Sequence, residues 1–262
     1  MSARLHGKVA VVLGGARGIG LAIVREFLRE GTAVFAGDLL PASEPVAPAD
    51  RVSFSKVDAT VPEQVSALVS AALERSGRID ILVNNVGRVL ARSIVDTQPE
   101  EFDDVFRVNV RSAYLGCRAV LPGMLERRSG SIINMSSNGG LIGRPGDPIY
   151  NASKHAVIGL TRSLAVAYAH LGVRVNAVCP GPIDTPMLRG LVPAGEFDQR
   201  VPMLVASTPA ARVGRADEVA QAVVFLASDE SAFITGAAIP VDGGKAAGVM
   251  PNDRYRIEAA KS

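Results

Sequence analysis

Cysteine is scarce in this chain and tryptophan is missing: Cys117 and Cys179 are the two thiols among 262 residues. They lie far apart, form no Cys-x-x-Cys, and have no nearby histidine pair to complete a zinc site, so buried free thiols are expected and no metal centre is. His6, His155 and His170 show no metal spacing either. His155 adjoins Lys154 but faces elsewhere by helical geometry, which reads as a structural histidine. Long apolar runs are also absent; none approaches the roughly 18 to 20 residues needed to span a bilayer. Neither sign of charge dominates, with 28 Lys and Arg against 26 Asp and Glu for a net charge of +2. The basic residues are scattered, which speaks against nucleic acid or an anionic membrane as partner. The run Val9–Leu13 is short for a signal peptide and passes directly into glycines and Arg17, so a cytoplasmic protein is expected.

What is present is an ordinary globular composition, 48% hydrophobic and 21% charged, which excludes disorder and allows a sizeable core. Short β-branched runs alternate with longer helical patterns. Val9–Leu13, Ala33–Ala36, Val52–Val57, Ile79–Val83, Ser131–Met135, Val173–Val178 and Ala237–Val241 read as strands. Parallel strands need a crossover each time, so this rhythm predicts an α/β fold. It is a Rossmann-type, doubly wound sheet of about seven mostly parallel strands with helices on both faces, in one domain spanning 1–262. Pro41 to Asp50 are rich in proline and alanine and predict a loop between the second and third strands. Residues 186–212, with prolines, glycine, leucines and methionines, read as a mobile flap. Met187 and Met203 in it are either ordinary packing or the lining of a substrate pocket. The tail 246–262 is polar and charged; it is loose or docks on a neighbour.

Directly after the first strand comes Gly14-Gly15-Ala16-Arg17-Gly18-Ile19-Gly20, followed by the amphipathic run Leu21 to Arg29. Strand, glycine turn and helix thus arrive in the order a pyrophosphate site requires. Glycines let backbone N–H groups approach the phosphates, whose charge the helix N-terminus favours. Asp38 closes the second strand about twenty residues later, where a carboxylate accepts hydrogen bonds from the adenosine ribose hydroxyls and repels a 2′-phosphate. Arg17 points the other way, since it could pair with such a phosphate. An anion facing an anion in a partly buried site costs more than a flexible surface arginine recovers, so NAD is favoured over NADP.

Taken together, Gly14-x-x-x-Gly18-x-Gly20, Asn84-Asn85-Val86-Gly87, Asn109, Ser137, Tyr150-x-x-x-Lys154, Pro180-Gly181 and Asp242-Gly243-Gly244 resemble the classical short-chain dehydrogenases/reductases, in order, from Lys8 to Gly244. The resemblance implies the strand order 3-2-1-4-5-6-7. It also implies an oxidoreductase transferring hydride between NAD(H) and a secondary alcohol or ketone. Asp147-Pro148 reads as N-cap and first residue of a helix, which puts Tyr150 in its first turn and Lys154 on the same face four residues on. The lysine ammonium is then expected to lower the phenol from its ordinary pKa of about 10 towards neutrality, as an acid/base needs. By resemblance Ser137, with Ser136 as its competitor, hydrogen-bonds the substrate oxygen. Asn109 holds a water linking Lys154 to solvent.

The same resemblance sets Asp58 and Ala59 by the adenine, Asn85 and Gly87 by the ribose, and Ile183 and Thr185, after Pro180-Gly181, by the nicotinamide carboxamide. It also implies a homotetramer through helices spanning about Ser112–Arg128 and Pro148–His170. Three residues depart from the family pattern. Leu13 replaces a threonine whose hydroxyl ties the glycine turn to the fourth strand, Gly15 is expected to loosen the turn, and Val86 replaces an alanine. The flap's composition alone suggests an apolar, cyclic or steroid-like substrate. Two readings compete: reduction of a 3-oxoacyl thioester on a carrier protein, against which Asp38 argues, and an idle NAD-binding scaffold, which would not need all of Asn109, Ser137, Tyr150 and Lys154.

Overall fold

A computed structural model describes residues 3–191 and 196–248 of the chain. The tail from residue 249 onwards lies outside them, as do residues 192–195 of the expected flap. Seven runs form strands: β1 (Val9–Leu13), β2 (Ala33–Asp38), β3 (Val52–Lys56), β4 (Ile81–Asn84), β5 (Gly130–Met135), β6 (Val173–Pro180) and β7 (Ala238–Val241). They make one sheet in the order β3-β2-β1-β4-β5-β6-β7, with every neighbouring pair parallel. The helices between them are α1 (Gly18–Arg29), α2 (Pro62–Ser76), α3 (Pro99–Phe106), α4 (Ser112–Glu126), α5 (Pro148–Tyr168), α6 (Pro186–Arg189), α7 (Phe197–Ala206) and α8 (Ala216–Ala227). Between β2 and β3 the chain makes only a 3-10 turn at Ala49–Arg51, in keeping with its proline-rich composition. Residues 186–212, read as a flap, carry α6 and α7.

Strands buried on both faces divide their side chains between two cores, because successive residues point to opposite sides. Val12 and Ile133 pack with Ile23 and Phe27 of α1 and Val219 and Val223 of α8. Their neighbours Val11 and Ile132 pack with Leu68 of α2 and Leu115 and Met124 of α4 on the other face. Phe27 is fully buried, and burying such a side chain stabilises the fold by roughly 1.5–3 kcal/mol. The sheet order reverses between β1 and β4, so the loops leaving their carboxyl ends diverge and open a crevice there. Next to it a π turn at Arg107–Arg111 joins α3 to α4, a geometry that often accompanies function. No helix among the described residues is long and apolar enough to cross a membrane.

Candidate active site

The glycine turn is built around the end of β1. Gly14 has φ +80°, a left-handed backbone that favours glycine, and its N–H donates to the Gly37 carbonyl of β2 at 2.7 Å. A Cβ on Gly20 would stand 1.8 Å from the Gly14 carbonyl oxygen, so the turn and the first turn of α1 close only over a glycine. Gly15 is packed, not loose: a Cβ there would meet the Ala36 side chain at 2.9 Å. Helix α1 starts at Gly18 with no acidic residue in its first turn, which leaves its positive end available to an anion. Arg17 precedes it and is exposed, while Gly18 and Ile19 are half-buried. Opposite them, Thr185 Cβ lies 3.5 Å from where a Gly18 Cβ would be.

Asp38 ends β2 half-buried, its Oδ2 accepting from Ala16 N at 3.0 Å and its Oδ1 from Leu40 N at 3.2 Å. A carboxylate offers roughly four acceptor positions, so both oxygens keep capacity for a ligand. Asp58 Oδ1 accepts from the Thr60 hydroxyl at 2.7 Å and from its N–H at 2.8 Å, which lowers the carboxyl pKa; Ala59 beside it is buried. Asn85 donates through Nδ2 to the Gly14 carbonyl at 2.7 Å, tying the β4 loop to the glycine turn. Leu13 pairs in register with Asn84 and is buried, and Asn84 Oδ1 has no hydrogen-bond partner among the described residues. Leucine supplies no hydroxyl there. Gly181, after Pro180 of β6, donates to the Val241 carbonyl at 3.0 Å, and Ile183 bridges to Gly214.

Past Asn85 and Val86 the crevice reaches the second group of side chains. A Cβ on Gly87 would stand 3.2 Å from Lys154 Nζ and 3.4 Å from Asn109 Oδ1, so the three meet at one point. Tyr150, Lys154, Ser137 and Asn109 are all buried. Lys154 Nζ lies 5.8 Å from the centre of the Tyr150 ring and donates to the Met135 carbonyl at 2.9 Å. Ser137 is within hydrogen-bonding reach of Tyr150 and lowers its pKa. Ser136 is turned away, its hydroxyl donating to the Lys154 carbonyl at 2.9 Å. The Asn109 amide clamps the peptide of Arg88, accepting from its N–H at 2.7 Å and donating to its carbonyl at 3.0 Å. A second N–H goes to Ser153 Oγ at 2.9 Å. Both amide protons are thereby used, so the side chain of Asn109 has no donor left for a water.

Two further expectations need correction. The phenol of Tyr150 is not pulled down in this state: burial of the would-be phenolate outweighs Ser137 and Arg144, and the pKa is raised. The ammonium that was to lower it is itself taken out of water, and burial brings Lys154 down to about 8. Asp147 occupies the N-cap position of α5, with Pro148 following, but its side chain makes no capping bond. It pairs instead with Arg144 at 2.6 Å.

The sequence reading also passed over three residues. Ser153 links Asn109 to the Tyr150 carbonyl, accepting from one and donating to the other; its place one turn after Tyr150 was the available signal. Asn138 and Arg144 adjoin Ser137 through side-chain hydrogen bonds, and nothing in their spacing marks them. A cavity of about 600 Å³ opens beside Leu141 and Ile183, at the ends of β6 and β7, and none of the four candidate catalytic side chains lines it. Both cysteines are buried, and burial lifts Cys117 to about 12 and Cys179 to about 11. Among the described residues no cluster of His, Cys, Asp or Glu is arranged for a metal ion.

The profile of a family described as enoyl-(acyl carrier protein) reductase matches residues 14–246. Among curated relatives, the 2-(R)-hydroxypropyl-CoM dehydrogenase of Xanthobacter autotrophicus is 42% identical over 249 residues, covering 90% of this chain and 97% of that protein. Among solved structures, ligand-free aldohexose dehydrogenase of Thermoplasma acidophilum is similar with a TM-score of 0.89 at 34% identity, covering 96% of this chain and 99% of the other. ElxO with NADP bound gives a TM-score of 0.85 at 33% identity, covering 92% and 99%.

Proposed function

Because the chain belongs to the short-chain dehydrogenases/reductases, an oxidoreductase family acting on CH–OH groups, we propose that it moves hydride between NAD(H) and a secondary alcohol or ketone, with Tyr150 transferring the proton. One observation carries this reading: Tyr150, Ser137, Lys154 and Asn109 converge beside Gly87, at the end of a path of contacts that starts in the glycine turn. The bound nicotinamide would supply the hydride chemistry. The positive end of α1 and the Gly14–Gly20 turn fit its pyrophosphate, Asp38 the adenosine ribose, and Asp58 and Ala59 the adenine side. Asn85, Gly87, Pro180, Gly181, Ile183 and Thr185 fit the remainder.

The raised pKa keeps Tyr150 protonated at neutral pH, which suits it to donate to a ketone oxygen that Ser137 also hydrogen-bonds. Lys154, brought down to about 8, titrates close to the working range and can follow that proton. Asp38 favours NAD, since a 2′-phosphate would face its carboxylate. Residues 186–212 serve in this reading as the flap over the substrate. Exposed Tyr114 on α4 and Val166 on α5 suit these helices to a homotetramer interface.

The test mixes purified protein with NAD or NADP and a panel of secondary alcohols, ketones and 3-oxoacyl thioesters, and follows absorbance of the reduced cofactor. Turnover with NAD that vanishes in Tyr150→Phe, while NAD still binds, is expected. Tight NAD binding with no turnover of any compound overturns the enzyme reading in favour of a scaffold. Preference for NADP and an acyl thioester overturns the substrate and cofactor assignment.

A further inference from the structure

Ser137 carries one proton and two lone pairs. Gly139 N–H donates to its Oγ at 3.1 Å, and the hydroxyl donates to Asn138 Oδ1 at 3.2 Å. The direction of that second bond follows from the next residue. Arg144 Nη1 donates to the same Asn138 oxygen at 3.3 Å. A guanidinium has donors only, so the atom it faces must be the amide oxygen and not the nitrogen. That oxygen accepts only, so Ser137 must be the donor to it. While Tyr150 is a neutral phenol the single Ser137 proton therefore stands on Asn138, and it can swing to a phenolate, which is how Ser137 lowers the Tyr150 pKa.

A ketone oxygen has no proton to give, so Ser137 can hold it only by moving its own proton off Asn138. Asn138 is 1% exposed, and a buried acceptor left bare carries an uncompensated desolvation cost. Arg144 removes that cost by remaining bonded to the same oxygen. The guanidinium is fixed for the purpose: Nη2 donates to buried Asp147 at 2.6 Å, and the Arg144 carbonyl accepts from Asn151 Nδ2 at 3.2 Å, with Asp147 and Asn151 flanking Tyr150 at the start of α5. Asn138 Nδ2, Asp147 Oδ1 and Asn151 Oδ1 have no partner among the described residues. Such a half-satisfied buried network is a poor stabiliser, which argues for a role in turnover.

We propose that Asn138 and Arg144 are positioning residues for Ser137: the Asn138 amide oxygen holds the serine proton between turnovers, and Arg144 keeps that oxygen bonded while the proton swings to the reacting oxygen. The proposal rests on the reading of Ser137 and Tyr150 given above. It is tested by measuring kcat, KM and NAD affinity, with an alcohol the wild type turns over, for Asn138→Ala, Arg144→Met and the double variant. Each single change should lower kcat about tenfold, the effect of one lost hydrogen bond, with KM and NAD affinity unchanged. Because both act through one oxygen, the double variant should lose no more than the worse single one. Asn138→Asp, which keeps an acceptor facing Ser137 and Arg144, should recover part of the loss.

Wild-type kcat in Asn138→Ala, additive losses in the double variant, or a parallel fall in NAD affinity would each overturn the proposal. If Arg144→Met fails to fold, Arg144→Lys takes its place beside Asn138→Ala. Tyr150→Phe and Ser137→Ala are run alongside. Turnover surviving in those two sinks the underlying reading, whereas its loss there with full activity in Asn138→Ala sinks this proposal alone.

Discussion

Replacing Lys154 by methionine should make the protein more stable and inactive at once. The ammonium is buried, and its pKa falls from 10.5 to about 8. A shift of about 2.5 units, at 1.36 kcal/mol each, amounts to about 3 kcal/mol. The sign follows from proton counting: between these two values the unfolded chain binds more protons than the folded one, so stability rises with pH across that window. Below the lower value the full penalty is present. Methionine fills similar space without charge, but it gives up the bond to the Met135 carbonyl, at a cost of about 1–2 kcal/mol. The net gain near neutrality is about 1–2 kcal/mol, or roughly 2–4 °C in Tm for a chain of this size. Thermal unfolding of both proteins, at equal concentration and at several pH values from neutrality upwards, measures it. The advantage should shrink and reverse as pH approaches 10.5, where the wild type has lost its penalty and keeps its hydrogen bond. A variant less stable at neutral pH, or an advantage independent of pH, would refute the reasoning.

Four further outcomes follow from the same geometry. Ser137→Ala should reduce kcat by about 10²–10³, the usual loss for a donor at the reacting oxygen. Ser136→Ala, which strips a bond from the Lys154 carbonyl, should cost about 1–3 kcal/mol of stability; a kcat profile in the reverse order would exchange their roles. Asp38→Ala should weaken NAD binding and relax discrimination against NADP at least about tenfold, roughly 1.4 kcal/mol, by titration with each dinucleotide; unchanged preference means the carboxylate does not face the ribose. Gly20→Ala must push the Gly14 carbonyl aside, the Cβ standing 1.8 Å from it, and calorimetry should show NAD affinity lost.

Much of this was legible because it depends on local spacing. The run Val9–Leu13 followed by glycines places the turn at the end of β1, and every glycine in it is constrained as expected except Gly15, which is tightly packed. The strand order could be named from the resemblance, and the sheet has it. Tyr150 and Lys154 share a helix face because they are four residues apart. Asn109 could be singled out, but its surroundings could not. A π turn leaves no spacing signature in Arg107–Arg111, and the clamp on Arg88 joins segments 21 residues apart. Asp147 shows the limit at short range, since a residue suited to capping was drawn to Arg144 three positions away.

The error about Tyr150 has a single physical source. Spacing shows which charges come close, but not how much water remains around them, and here both groups are buried. In water a neighbouring ammonium would favour the phenolate; in the crevice each charged form loses its own solvation first, and the two pKa values move apart, the phenol upwards and the ammonium downwards. The consequence is useful for proton transfer. A phenol pushed up and an ammonium pulled down leave both protons bound near neutrality and the lysine the more easily titrated of the two. In the proposed reaction Tyr150 is thereby set to give its proton and Lys154 to follow. The burial that makes Lys154 a cost to stability is the same burial that places its titration within reach of neutral pH.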